Sequence, residues 1–135
     1  MKEYEFLDHT SEIKFVTRGK SFEEALEHSV IAFSEYICRG QKVAKKKKLA
    51  FEVVGGDNKS LFFNFLNELI FNFDANKFLP STAKVVFDGK KLKAELFGDN
   101  AKKYRALADV KAVTYSEMKV GKKGKVWELV AVLDV

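Results

Sequence analysis

The chain has 135 residues, 47% hydrophobic and 32% charged, with one cysteine, a net charge of +5 and a pI near 9.2. That length fits one domain with a real core; one Pro and eight Gly argue against long disordered linkers, and one Cys excludes an internal disulfide. No apolar run approaches the ~20 residues of a membrane span, and the charged start MKEYEF does not read as a signal peptide, so the expectation is a cytoplasmic protein without membrane association.

In chain order, residues 3–7 and 12–18 read as two short strands around FLDHTSEI, where Asp8, His9 and Glu12 crowd into one turn. In the second strand Ile13, Phe15 and Thr17 alternate with Glu12, Lys14, Val16 and Arg18. Ser21 and Glu24 form a capping box, and Leu26, Val30, Phe33 and Ile37 follow at helical spacing, which predicts a helix over 21–38 ended by Gly40. His28 falls on its polar side and is expected to be exposed, whereas Cys38 ends the apolar face and is expected to be a buried structural thiol.

A strand over 48–54 follows the lysine run 45–48, and Asp57 then caps a second helix over 58–74. Leu61, Phe65, Leu69 and Phe73 form its stripe, widened by Phe62, Leu66 and Ile70. Phe63 and Phe71 spill beyond, so this helix is expected to pack on more than one side. The remainder is β: a turn at Asp88-Gly89 between 82–87 and 91–98, a loop at 98–106, extended segments at 106–115 and 116–120, a turn at 121–124 and a last strand over 125–135. The order ββ-α-β-α-ββββ predicts a single α+β domain over 1–135, with two helices packed on one face of a mostly antiparallel sheet.

Catalytic motifs are missing. There are two histidines and no GxSxG, P-loop, GxGxxG, CxxC or HxxxH, so neither a hydrolase triad nor a zinc site is written here. Gly55-Gly56 before a helix is weak support for phosphate binding. The lysine runs at 45–48, 90–91, 102–103 and 122–125 lie beside turns without interleaved aromatics, and read first as solvated surface. For the opening acidic stretch two readings stand. In one, Asp8 caps a turn, Thr10 and Ser11 bond locally, and Glu12 is a solvated strand residue. In the other, the last strand brings Asp134 and the terminal carboxylate of Val135 to Glu12, an all-oxygen set suited to Ca²⁺, Mg²⁺ or Mn²⁺.

The chain resembles the archease family through LDHTSEI, GKSFEEAL, FLNELIFNFDANKFL, LKAELFGD, DVKAVTYSEMKV and VAVLDV, which occur in the family's order across nearly the whole sequence. The resemblance implies a non-enzymatic accessory protein of the RtcB-type tRNA-splicing RNA ligase. It would promote the ligase's guanylylation by GTP in the presence of manganese and support multiple turnover. It also implies a metal site of Glu12, Asp134 and Val135 holding a divalent ion (Ca, Mg or Mn), with Asp8 and His9 flanking it and Lys111 and Tyr115 contacting the partner. An alternative implied role is chaperone-like modulation of a tRNA methyltransferase, with tRNA contacted only indirectly. Three positions depart from the family's usual pattern: Glu12 stands where Asp is usual, Lys14 where a small residue is usual, and Ser116 where His is usual. The Lys14 ammonium is therefore a competing source of positive charge for the carboxylates.

Overall fold

A computed structural model describes residues 2–8 and 11–135. The elements are β1 (Tyr4–Leu7), β2 (Glu12–Gly19), α1 (Phe22–Cys38), β3 (Lys47–Val54), α2 (Asn58–Asn76), β4 (Phe78–Phe87), β5 (Lys91–Asn100), β6 (Ala112–Lys123) and β7 (Val126–Asp134), with one 3₁₀ turn at Ala101–Lys103. The class is α+β and every strand pair is antiparallel, as the element order predicts. The strands divide into two sheets, ordered β1-β2-β7-β6 and β3-β5-β4.

The division has a physical cause after β5. Asp99, nearly fully buried, accepts the Asn100 N–H at 2.8 Å and the Tyr104 hydroxyl at 2.9 Å, and its carboxylate pairs with Lys103 at 3.3 Å. The Tyr104 hydroxyl in turn accepts the Ala44 N–H at 2.9 Å. This pin, with Ala108 N–H donating to Ile37 O, carries 101–111 across the helix end, so β6 starts a different sheet from β5.

Both helices touch both sheets: α1 packs on β2 and β4, and α2 on β6, β3 and β4. The buried stripe predicted for α1 is in place, with Leu26, Val30, Phe33 and Ile37 closed off from solvent beside Phe15, Phe62 and Phe65 in one continuous core. Each fully buried large side chain contributes about 1.5–3 kcal/mol relative to exposure. Ser21 Oγ accepts the Glu24 N–H at 3.0 Å, while Glu24 reaches back to the Lys20 N–H rather than to the cap residue itself. Asp57 caps α2 by accepting the Ser60 N–H at 2.7 Å. Arg39, in a left-handed conformation, closes α1 just before Gly40.

Two expectations change. His28 is half-buried, not exposed, because its Nδ1 lies 2.6 Å from Arg18 O, which ties α1 to β2. Phe71 remains 57% exposed, so only Phe63 carries the second packing side of α2. Cys38 is buried, as expected. No helix among the described residues is long and apolar enough to cross a membrane.

Candidate functional site

The alternation of β2 decides which residues share a face. Phe15 belongs to the core, Ile13 packs against it, and Thr17 is buried beneath α1, where its hydroxyl donates to Ala25 O. Glu12, Lys14, Val16 and Arg18 therefore lie on the opposite, outer face. In the antiparallel register Glu12 is the direct partner of Asp134, and Asp134 is also the direct partner of Ala112 on β6. Residues paired in this way share a face with Cβ atoms about 4.5–5.5 Å apart. Two carboxylates from the two ends of the sequence thus stand side by side at one end of the four-stranded sheet. Val135 follows directly, its side chain packed against the core. The Lys111 N–H donates to Asp134 O at 2.8 Å, which holds this end against the entry of β6.

Like charges placed directly opposite each other destabilise a strand pair. A hard divalent cation fits the donor set, since each group offers carboxylate oxygens and nothing softer. Among the described residues no group of three or more His, Cys, Asp or Glu side chains comes together to hold a metal. The side chains that the register brings together here are the two carboxylates of Glu12 and Asp134.

Lys14 lies one alternate position along β2 from Glu12, on the same face, and its ammonium meets Glu117 Oε1 at 2.9 Å. Glu117 was not legible as a site residue. It sits in a bulge where the β6–β7 register shifts between Thr114 and Lys119, at a φ of 60° that is uncommon for a residue with a side chain. Bulges re-aim side chains, and this one places a carboxylate beside Lys14. No turn-forming glycine announces it in SEMK.

The remaining expected residues are placed as follows. Asp8 is exposed just after β1. His9 lies outside the described residues. The Lys111 side chain is exposed at the tip. Tyr115 is half exposed, and its ring lies flat on Phe63 of α2, with centroids 3.9 Å apart and planes 4° from parallel. Tyr115 therefore presents an aromatic face on the edge strand, three residues from Ala112, the partner of Asp134.

Comparison with known proteins is consistent in family and fold. The model of the archease protein family (MTH1598/TM1083) matches residues 4–135. The chain is 37% identical to a protein archease of Pyrococcus abyssi over 90% of each chain. It is 30% identical to a protein archease of Sulfolobus acidocaldarius over 100% of each. Its fold is similar to the solution structure of protein 1598 of Methanobacterium thermoautotrophicum, with a TM-score of 0.82, 24% identity and 100% coverage of both chains. It is also similar to a Thermotoga maritima crystal structure described as an archease and possible chaperone, with a TM-score of 0.69 and 22% identity, covering 96% of this chain and 94% of that one.

Proposed function

This chain belongs to the archease family, and we propose that it works as an accessory activator of an RtcB-type tRNA-splicing RNA ligase through the carboxylate tip of its four-stranded sheet. The observation that carries the reading is the register pairing of Glu12 with Asp134, next to the terminal carboxylate of Val135. Isolated acidic residues would not need to meet there.

In this reading Glu12, Asp134 and the terminal carboxylate hold a divalent ion (Ca, Mg or Mn). When bound, that ion supplies positive charge for phosphate oxygens. The chain's own contribution is placement. The ladder fixes the two side-chain carboxylates on rigid strands, and the Lys111 backbone bond steadies the last residues. The Tyr115–Phe63 stack offers a flat surface to the partner beside the tip. Positioning of this kind is what guanylylation by GTP requires, and the protein need not be an enzyme itself. Lys14, on the same face as Glu12, is engaged by Glu117 at 2.9 Å.

The test is ligase guanylylation with GTP and Mn²⁺, with native protein or Asp134→Ala. The variant is expected to fold, as judged by circular dichroism, and to stimulate poorly. Full stimulation by Asp134→Ala removes the reading. A second reading, a chaperone-like modulator of a tRNA methyltransferase acting in the cytoplasm, draws support from the exposed rings of Tyr115 and Phe71. It predicts that Tyr115→Ala impairs partner solubility more than Asp134→Ala does.

A further inference from the structure

The outer face that carries Glu12 and Asp134 continues toward the β6–β7 hairpin as a cleft of about 450 Å³. Leu7 and Val130 give it an apolar floor, and Lys14, Lys119 and Lys123 stand around it. We propose that this cleft binds the backbone phosphates of a single-stranded RNA. The proposal deepens the ligase reading and rests on it for the choice of RNA as the source of phosphate.

Charge is the first argument. The two carboxylates lining the cleft are already paired. Glu117 holds Lys14 at 2.9 Å, and Glu128 holds Arg18 at 3.1 Å and Lys123 at 3.2 Å. The pairing is strong enough to matter for Glu128: burial pushes its carboxyl up, and the hydrogen bonds from Lys123 and Arg18 more than offset this, leaving it below the usual range. Among the described residues Lys119 makes no ion pair, so Lys14, Lys119 and Lys123 outnumber the carboxylates Glu117 and Glu128 on this face. The cleft therefore presents net positive charge to a ligand. Ammonium groups bind phosphate as point charges and release counterions in doing so.

Shape is the second argument. Among the described residues no aromatic ring lines the cleft, so none of them would stack on a base; the contact is with the backbone and is independent of sequence. Gly121 forms part of the lining opposite Glu128, and a Cβ added there would meet nothing within 4 Å. The space is open rather than a packing defect. Lys123 of the 122–125 run, which the sequence alone assigns to solvated surface, thus shares a concave wall with Lys14 and Lys119.

The test is fluorescence anisotropy with a short labelled oligouridylate and the full chain, across a salt series. Native protein is expected to bind with a salt slope of about −0.7 per phosphate contact. Gly121→Glu adds a carboxylate where there is room, and Lys119→Glu reverses a cation without a carboxylate partner among the described residues. Each is expected to weaken binding about tenfold or more and to flatten the slope. Circular dichroism checks that the variants fold, and if Gly121→Glu does not, Lys119→Glu decides. Binding unchanged by the folded variants overturns the proposal. So does tighter binding of polyglutamate than of the oligouridylate at equal charge and salt, which would make an acidic protein segment the occupant. Guanylylation measured without RNA separates the two readings. Stimulation without RNA binding removes only the cleft, and RNA binding without stimulation removes only the ligase reading.

Discussion

Glu12 and Asp134, from opposite ends of the sequence, are direct cross-strand partners on β2 and β7. Two carboxylates in this relationship repel, and a domain that keeps them there gives up some stability unless a cation joins them. In metal-free buffer Asp134→Asn is expected to raise the free energy of unfolding by about 0.2–1 kcal/mol. Excess Mn²⁺ or Ca²⁺ should stabilise native protein, by about 2.7 kcal/mol at a hundredfold excess over the dissociation constant, and leave Asp134→Asn nearly unmoved. Denaturant melts with and without the ion check both parts; equal responses of the two proteins contradict the cation reading.

The stack of Tyr115 on Phe63 separates packing from recognition. Tyr115→Ala should cost about 0.5–1.5 kcal/mol of stability and weaken association with the ligase, whereas Tyr115→Phe keeps the stack and most of the stability. Urea melts and a pull-down titration with the ligase read the two effects. Unchanged association with Tyr115→Ala would place the partner surface elsewhere.

Two glycines on neighbouring themes should behave oppositely. A Cβ at Gly98 would lie 2.1 Å from Leu79 O and 2.9 Å from Pro80 Cα, where β4 and β5 meet at a register shift. Gly98→Ala is therefore expected to destabilise by about 1–3 kcal/mol. Gly121→Ala meets open space and should fall within about 0.5 kcal/mol of native. Thermal melts of the two variants make the comparison.

Asp99 gives a pH dependence. The Asn100 N–H, the Tyr104 hydroxyl and Lys103 hold its carboxyl below the usual carboxylate range despite the opposing effect of burial. Its folded pKa is thus below the unfolded value of about 3.9. The unfolded chain binds the proton more readily, so the contribution is complete above that value and is lost as pH falls through the folded pKa. Melts between roughly pH 2 and 6 should show a shallower acid slope for Asp99→Asn than for native protein. Parallel slopes would mean that the pin does not depend on the charge.

Local features were legible in the sequence because local chemistry decides them. The caps at Ser21 and Asp57, the buried stripes of α1 and α2, and the turn at Asp88-Gly89, where Gly89 takes a φ of 94°, follow from side-chain spacing and backbone preference. The meeting of the two chain ends needed the family resemblance, because periodicity places Glu12 on a face but not opposite Asp134. Register is a long-range property set by how β7 inserts between β2 and β6. The Glu117 bulge and the separation into two sheets escaped for related reasons. The first rests on a positive φ without glycine, and the second on the Asp99–Tyr104–Ala44 pin, whose members are scattered in sequence. Phe63 lies outside the helical stripe by its spacing, but its partner Tyr115 belongs to a distant strand.

The central claim is that Glu12, Asp134 and the terminal carboxylate act as one working end. The most direct measurement is the rate of ligase guanylylation with GTP and Mn²⁺, comparing native protein with Glu12→Gln and with a chain extended by several residues past Val135. Native protein is expected to stimulate, and both altered proteins are expected to lose most of that stimulation while keeping their fold. Stimulation by either at the native rate would contradict the claim.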